Sequence, residues 1–157
     1  MPHAQRPYIF LIKITLFALI INTLPLPEIL LNVMPFTMLL FFSYWLICFK
    51  THGQFFIALT LGVLIDILHG DILGQNALAL ILSSAFIIKI QQSLVVSNIT
   101  TQQIYLFVAS SIYLGILLLV HDLSTQSFDF NYYLLLTPFT GALLWPLVQL
   151  LLSKCKH

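Results

Sequence analysis

Apolar runs recur from one end of this sequence to the other, and most of its charged residues fall in the breaks between them. Only 7% of the 157 residues are charged and 60% are hydrophobic, with a mean hydropathy of +1.02. A soluble domain needs far more polar surface than that to cover itself. The expected fold is an all-α integral membrane protein, because in lipid a helix satisfies its own backbone groups. Residues 1–157 form a single membrane domain, a bundle of six transmembrane helices at about 8–24, 29–49, 54–69, 75–90, 104–123 and 132–152. The third and fourth spans, at roughly 16 residues, are shorter than the ~20 that a bilayer core asks of a helix. They are read as a hairpin tucked into the bundle, or the fourth continues through Gln91 and Gln92 toward Val96.

Charge sets the expected orientation. With six spans and a cytoplasmic N-terminus, Arg6, Lys13, Lys50, Lys89, Lys154 and Lys156 all lie on the cytoplasmic side, and they are every lysine and arginine in the chain. Both termini are then cytoplasmic, while Glu28, Asp71, Asp122 and Asp129 lie outside and Asp66 in the outer half. The first run contains Lys13 and ends in Leu24-Pro25-Leu26-Pro27-Glu28 rather than a small-x-small cleavage site, so it is read as a retained helix and not a signal peptide. Pro25 and Pro27 make a rigid outer turn, and Pro35 should kink the second helix or mark its start. Tyr44 and Trp45, near the inner end of that helix, are read as interfacial anchors. Trp145 beside Pro146 is read as a packing wedge at a bend in the sixth helix.

Several chemistries find no support. A net charge of +1 without a basic, aromatic-interleaved patch gives no reason to expect nucleic acid. The five histidines are scattered, with no HExxH motif and no pair four residues apart on one helix, so neither a metal nor a haem cofactor is expected. Cys48 and Cys155 lie far apart beside lysines and predict no disulfide. Ser83, Ser84, Ser110 and Ser111 lack a base at a common face and depth, and read as helix–helix contacts rather than nucleophiles. No catalytic residue is assigned.

Residues 58–78 carry the strongest local pattern. Ala58, Gly62, Asp66 and Gly70 recur every four residues, a stripe of small side chains with one acid among them that would let another backbone come close. The helix breaks at His69-Gly70-Asp71 and resumes after Gly74. Asp66 lies a little past the middle of the membrane, and an acid there needs a partner. Asn22, His69 and Asn76 match its depth. The structural reading is a hydrogen bond that locks the hairpin. An ion-coupling role would call for a second acid near the midplane, and the sequence has none.

Taken together, Pro25-Leu26-Pro27-Glu28, Pro35 ahead of Tyr44-Trp45, Gly62-xxx-Asp66-xxx-Gly70 with Leu73-Gly74 and Ala77-Leu78, and Leu144-Trp145-Pro146 resemble the rod shape-determining protein MreD family over nearly the whole chain. One departure is Met34-Pro35-Phe36, where relatives often carry a basic residue before the proline and Asn or Asp after it. The resemblance implies a non-enzymatic inner-membrane component of the bacterial elongation machinery. Its implied partners are MreC directly, and MreB, RodA and a penicillin-binding transpeptidase in the same complex. It also implies a fold similar to the substrate-binding membrane subunits of energy-coupling-factor transporters, so a small-molecule binding transporter subunit is the alternative.

Overall fold

Helices start and stop where the sequence supplies breakers. In the computed structural model, which describes residues 7–29, 36–125 and 132–155, α1 (Pro7–Asn22) opens on a proline and ends before the Pro25-Leu26-Pro27 segment. Next come α2 (Thr37–Cys48) and α3 (Gln54–His69), the latter closed by Gly70 in the left-handed region. Gly74, also left-handed, precedes α4 (Gln75–Val96). Then α5 (Ile99–Thr125) follows, and a 3-10 turn at Tyr132–Leu136 leads into α6 (Thr137–Cys155), which holds Pro146 within it. The described residues are thus almost wholly helical and contain no strand.

Length divides these helices into two groups. α4, α5 and the segment Tyr132–Ser153 are long and apolar enough to cross a membrane. α1, α2 and α3 are equally apolar but have 16, 12 and 16 residues. Their rise of about 1.5 Å per residue leaves them short of a ~30 Å hydrocarbon core.

α2 is the centre of the bundle. Every residue from Met38 to Leu46 is buried, because α1, α4 and α6 all pack on this one helix. An apolar surface all round suits that position, as no face has to meet a polar medium. Successive neighbours α3 and α4, α4 and α5, and α5 and α6 also pack together. The outer faces are apolar as well, with Ile9, Ile12, Leu16 and Ile20 exposed along α1 and Phe55, Phe56 and Leu59 along α3. Such a surface is what a helix presents to lipid.

Two expectations need correction. Tyr44 and Trp45 are not interfacial anchors: both are buried, the Trp45 indole N–H donates to the Pro7 carbonyl at 2.9 Å, and its ring stacks on Phe42. Packing wins because α2 lies inside the bundle and has no membrane-facing side. The fifth helix begins at Ile99 rather than Ile104, so only Ser97 and Asn98 separate it from α4, which runs to Val96. Thr100, Gln102 and Gln103 look like a polar loop in sequence, yet they are helical, and both glutamines bond to neighbouring segments. The described part of the second span starts at Thr37, and Pro35, expected to kink that helix or mark its start, lies outside the described residues.

Candidate functional site

Glycine at position 62 allows a close helix–helix contact. A Cβ built there would lie 2.1 Å from the Ala77 Cα and 2.5 Å from its backbone nitrogen, so α3 and α4 touch backbone to backbone. Ala58, one turn earlier on the same face, is completely buried. One turn later the same face presents Asp66, 1% exposed. The approach fixed by Gly62 delivers this carboxyl group to the first turn of α4.

There it acts as a cap supplied by a neighbouring helix. Oδ2 of Asp66 accepts the Gly74 amide at 2.7 Å; Oδ1 accepts the Asn76 amide at 3.0 Å and the Asn76 side-chain Nδ2 at 2.8 Å. The first amides of a helix have no partner within it, and an acid is favoured at that end of the helix dipole. In lipid such orphan donors are costly, so the carboxyl group and the helix start satisfy each other. The main-chain carbonyl of Asp66 closes the other side of the break, accepting the amides of Gly70 and of Asp71, the latter at 3.1 Å. Side chain and main chain of one residue therefore hold both ends of the interruption.

Asn76 carries the contact on to a third helix. Its Oδ1 accepts the Tyr113 hydroxyl of α5 at 2.6 Å, and its Nδ2 lies 3.5 Å from Oδ2 of Asp71. Sequence reasoning missed Tyr113. The available signal was a phenol set within an apolar helix, whose hydroxyl must find an acceptor once buried.

The remaining predicted positions are placed differently. Gly70 and Gly74 do not extend the close-packed stripe: a Cβ at either would meet no atom within 4 Å, and both have positive φ, +68° and +94°. Their part is the left-handed backbone that turns the chain between the helices. Asn22 does not bond Asp66; its Oδ1 accepts the Thr37 hydroxyl at 2.7 Å, joining α1 to α2. His69 turns back on its own helix, with Nδ1 3.0 Å from the Ile65 carbonyl. Pro25, Pro27 and Glu28 are exposed in the segment after α1. Ser83, Ser84 and Ser111 bond carbonyls of their own helices rather than a neighbour.

A second polar cluster lies at the opposite end of α4. The Trp145 indole, fully buried, donates to Oε1 of Gln102 at 3.0 Å, and Gln149 donates to the same oxygen. Nε2 of Gln102 in turn donates to the Leu94 carbonyl at 2.8 Å and the Ser97 carbonyl at 3.2 Å. Pro146 leaves the Ala142 carbonyl without its helical donor, and Nε2 of Gln103 supplies one at 3.1 Å. Nothing in the α6 sequence alone shows that its tryptophan and proline depend on two glutamines of α5.

No curated protein and no solved structure matches the chain. A family model described as rod shape-determining protein MreD matches residues 4–155, and so takes in Gly62, Asp66, Asn76, Gln102, Tyr113 and Trp145, and both polar clusters with them. By that match over nearly its whole length, the chain belongs to the MreD family of rod shape-determining membrane proteins.

Proposed function

We propose that this protein is a six-span, non-enzymatic component of the bacterial inner membrane, with both termini in the cytoplasm. In this reading it binds MreC and helps direct side-wall peptidoglycan synthesis, in a complex with MreB, RodA and a penicillin-binding transpeptidase. The observation that carries it is the family match across residues 4–155. The chemistry of the Asp66 seam supports it. Each oxygen of that carboxyl group is engaged by amides that hold α3 to α4, and the seam is continued by Asn76 to α5. A group used in this way builds a rigid scaffold rather than a reaction centre. The orientation is supported by the position of Lys50 just beyond α2 and Lys89 on the later half of α4, at the end of the bundle away from Asp66.

A second reading, a small-molecule binding transport subunit, is favoured by one feature. A cavity of about 380 Å³ opens beside the seam, with Asn22, Thr37, His69, Asp71, Asn76 and Tyr113 in its wall. Purification of the tagged protein from membranes separates the two. Recovery of MreC is the expected result, and recovery of a transporter ATPase module without MreC would replace the first reading by the second.

A further inference from the structure

At the end of the bundle away from Asp66, a larger cavity of about 700 Å³ lies between the end of α2, the last turns of α4 and Gln102 of α5. It is many times the ~30 Å³ share of one water molecule in the liquid. Three features of its wall point to what it holds. Lys50 lines it, and among the described residues this ammonium group has no acidic partner. Gln91 is only 5% exposed; its Nε2 donates to the Leu46 carbonyl, while its side-chain oxygen receives no hydrogen bond from the described residues. Gln92 beside it, exposed, adds a further amide with both its donor and its acceptor open. The rim continues into apolar surface at Ile47 and at Val95, which is 61% exposed.

A ligand matching this wall has an anionic group for Lys50, a hydrogen-bond donor for the Gln91 oxygen, and an apolar portion that leaves along Ile47 and Val95. A lone phosphate ion lacks the apolar portion. Phosphatidylcholine has phosphate and acyl chains but no N–H or O–H to give. We propose that this cavity is a phospholipid headgroup site, selective for headgroups that join a phosphate to a hydroxyl or ammonium donor, as phosphatidylglycerol does. The phosphate sits at Lys50, the donor reaches Gln91, and the acyl chains run up the outside of α4. The site is separate from the Asp66 seam and does not depend on which partner the protein binds.

Cys48 lines the same cavity and reports its occupancy. In a Cys155→Ser background, the rate of maleimide labelling at Cys48 would be measured in detergent micelles doped with phosphatidylglycerol, with phosphatidylcholine, or with soluble glycerol phosphate. The expected result is labelling slowed at least threefold by phosphatidylglycerol and unchanged by the other two. Lys50→Gln should abolish the protection, and Lys89→Gln, outside the cavity, should keep it; a thermal melt without added lipid checks that both variants are folded. Equal protection by phosphatidylcholine would mean that acyl chains alone fill the space. Equal protection by glycerol phosphate would make the ligand a soluble anion. Protection that survives Lys50→Gln, or none in the parent protein, overturns the proposal outright.

Discussion

Adding one methyl group at Gly62 tests whether the α3–α4 contact governs the Asp66 cap. In an exposed helix interior, Gly→Ala stabilises by about 1 kcal/mol. At Gly62 the new Cβ would sit 2.1 Å from the Ala77 Cα, where ordinary contact needs about 3.4 Å or more. The atom it meets is backbone and cannot rotate away, so the helices must part by roughly 1 Å or α3 must turn. Overpacking of this kind costs about 1–3 kcal/mol. A displacement of that size also stretches the 2.7 Å and 3.0 Å bonds from the Gly74 and Asn76 amides to Asp66, and weakening bonds to an acidic group adds about 1.5–3 kcal/mol. After the propensity gain is set against these terms, Gly62→Ala should lose about 1.5 kcal/mol at the low end.

Gly115 supplies the control, since a Cβ there meets nothing within 4 Å. Gly115→Ala should be neutral or slightly stabilising, by about 1 kcal/mol at most. Reversible denaturant unfolding in mixed micelles, followed by tryptophan fluorescence, reads both variants. If Gly62→Ala proves as stable as Gly115→Ala, the backbone contact is not as close as described and the coupling to Asp66 fails with it.

Four further outcomes are expected. Asp66→Asn can still offer an oxygen to Asn76 but turns an amide toward the Gly74 N–H, so it should lose about 1–3 kcal/mol, and Asp66→Leu, which leaves all three donors unmet, should lose more in the same unfolding assay. Restoration of rod shape in a depleted strain should follow that order; an Asp66→Asn protein that is stable and holds MreC but fails to restore shape would show that ionisation matters. Tyr113→Phe should cost about 1–3 kcal/mol, read by the same unfolding, because the Asn76 oxygen loses its donor. Gly70→Leu should lose about 1–2 kcal/mol through its positive φ while Gly70→Asn is better tolerated, and equal losses would point to a steric cause instead. Reporter fusions at His157 should be active in the cytoplasm, and periplasmic activity would rule out the six-span topology.

Much of the helical layout was legible because periodicity and breakers act locally. Gly70 and Gly74 mark the break in the sequence, and the backbone turns there. The four-residue spacing of Ala58, Gly62 and Asp66 likewise puts them on one face by helix geometry alone. What that face meets is a tertiary fact: the same spacing adds Gly70 to the packing stripe, whereas only its place in the break, at positive φ, has a counterpart in the structure. Tyr44 and Trp45 were misread for a related reason: aromatic residues near a helix end suit an interface or a core equally, and only the burial of α2 on all sides decides. Gln102 was not legible at all. Its four hydrogen bonds reach residues that lie from 5 to 47 positions away, and no local pattern encodes them.

The two polar clusters gain their meaning from the helix they share. α4 has the amides at its start, those of Gly74 and Asn76, taken by the Asp66 carboxyl group of α3, and a carbonyl of its last turn, at Leu94, together with that of Ser97 just beyond it, bonded by the Gln102 amide of α5. Water caps the ends of a soluble helix at little cost, but a helix end inside or at the edge of a bilayer depends on what its neighbours supply. Here each cap comes from a different neighbour, and the signs suit the dipole, an acid at the N-terminus and a donor at the C-terminus. Sliding α4 along its axis or turning it would break both caps together. Transport by a helical bundle needs helices that shift against one another, whereas a platform for assembling other proteins needs helices that do not. The doubly capped α4 therefore favours the scaffold reading over the transport reading, by an argument independent of the family match.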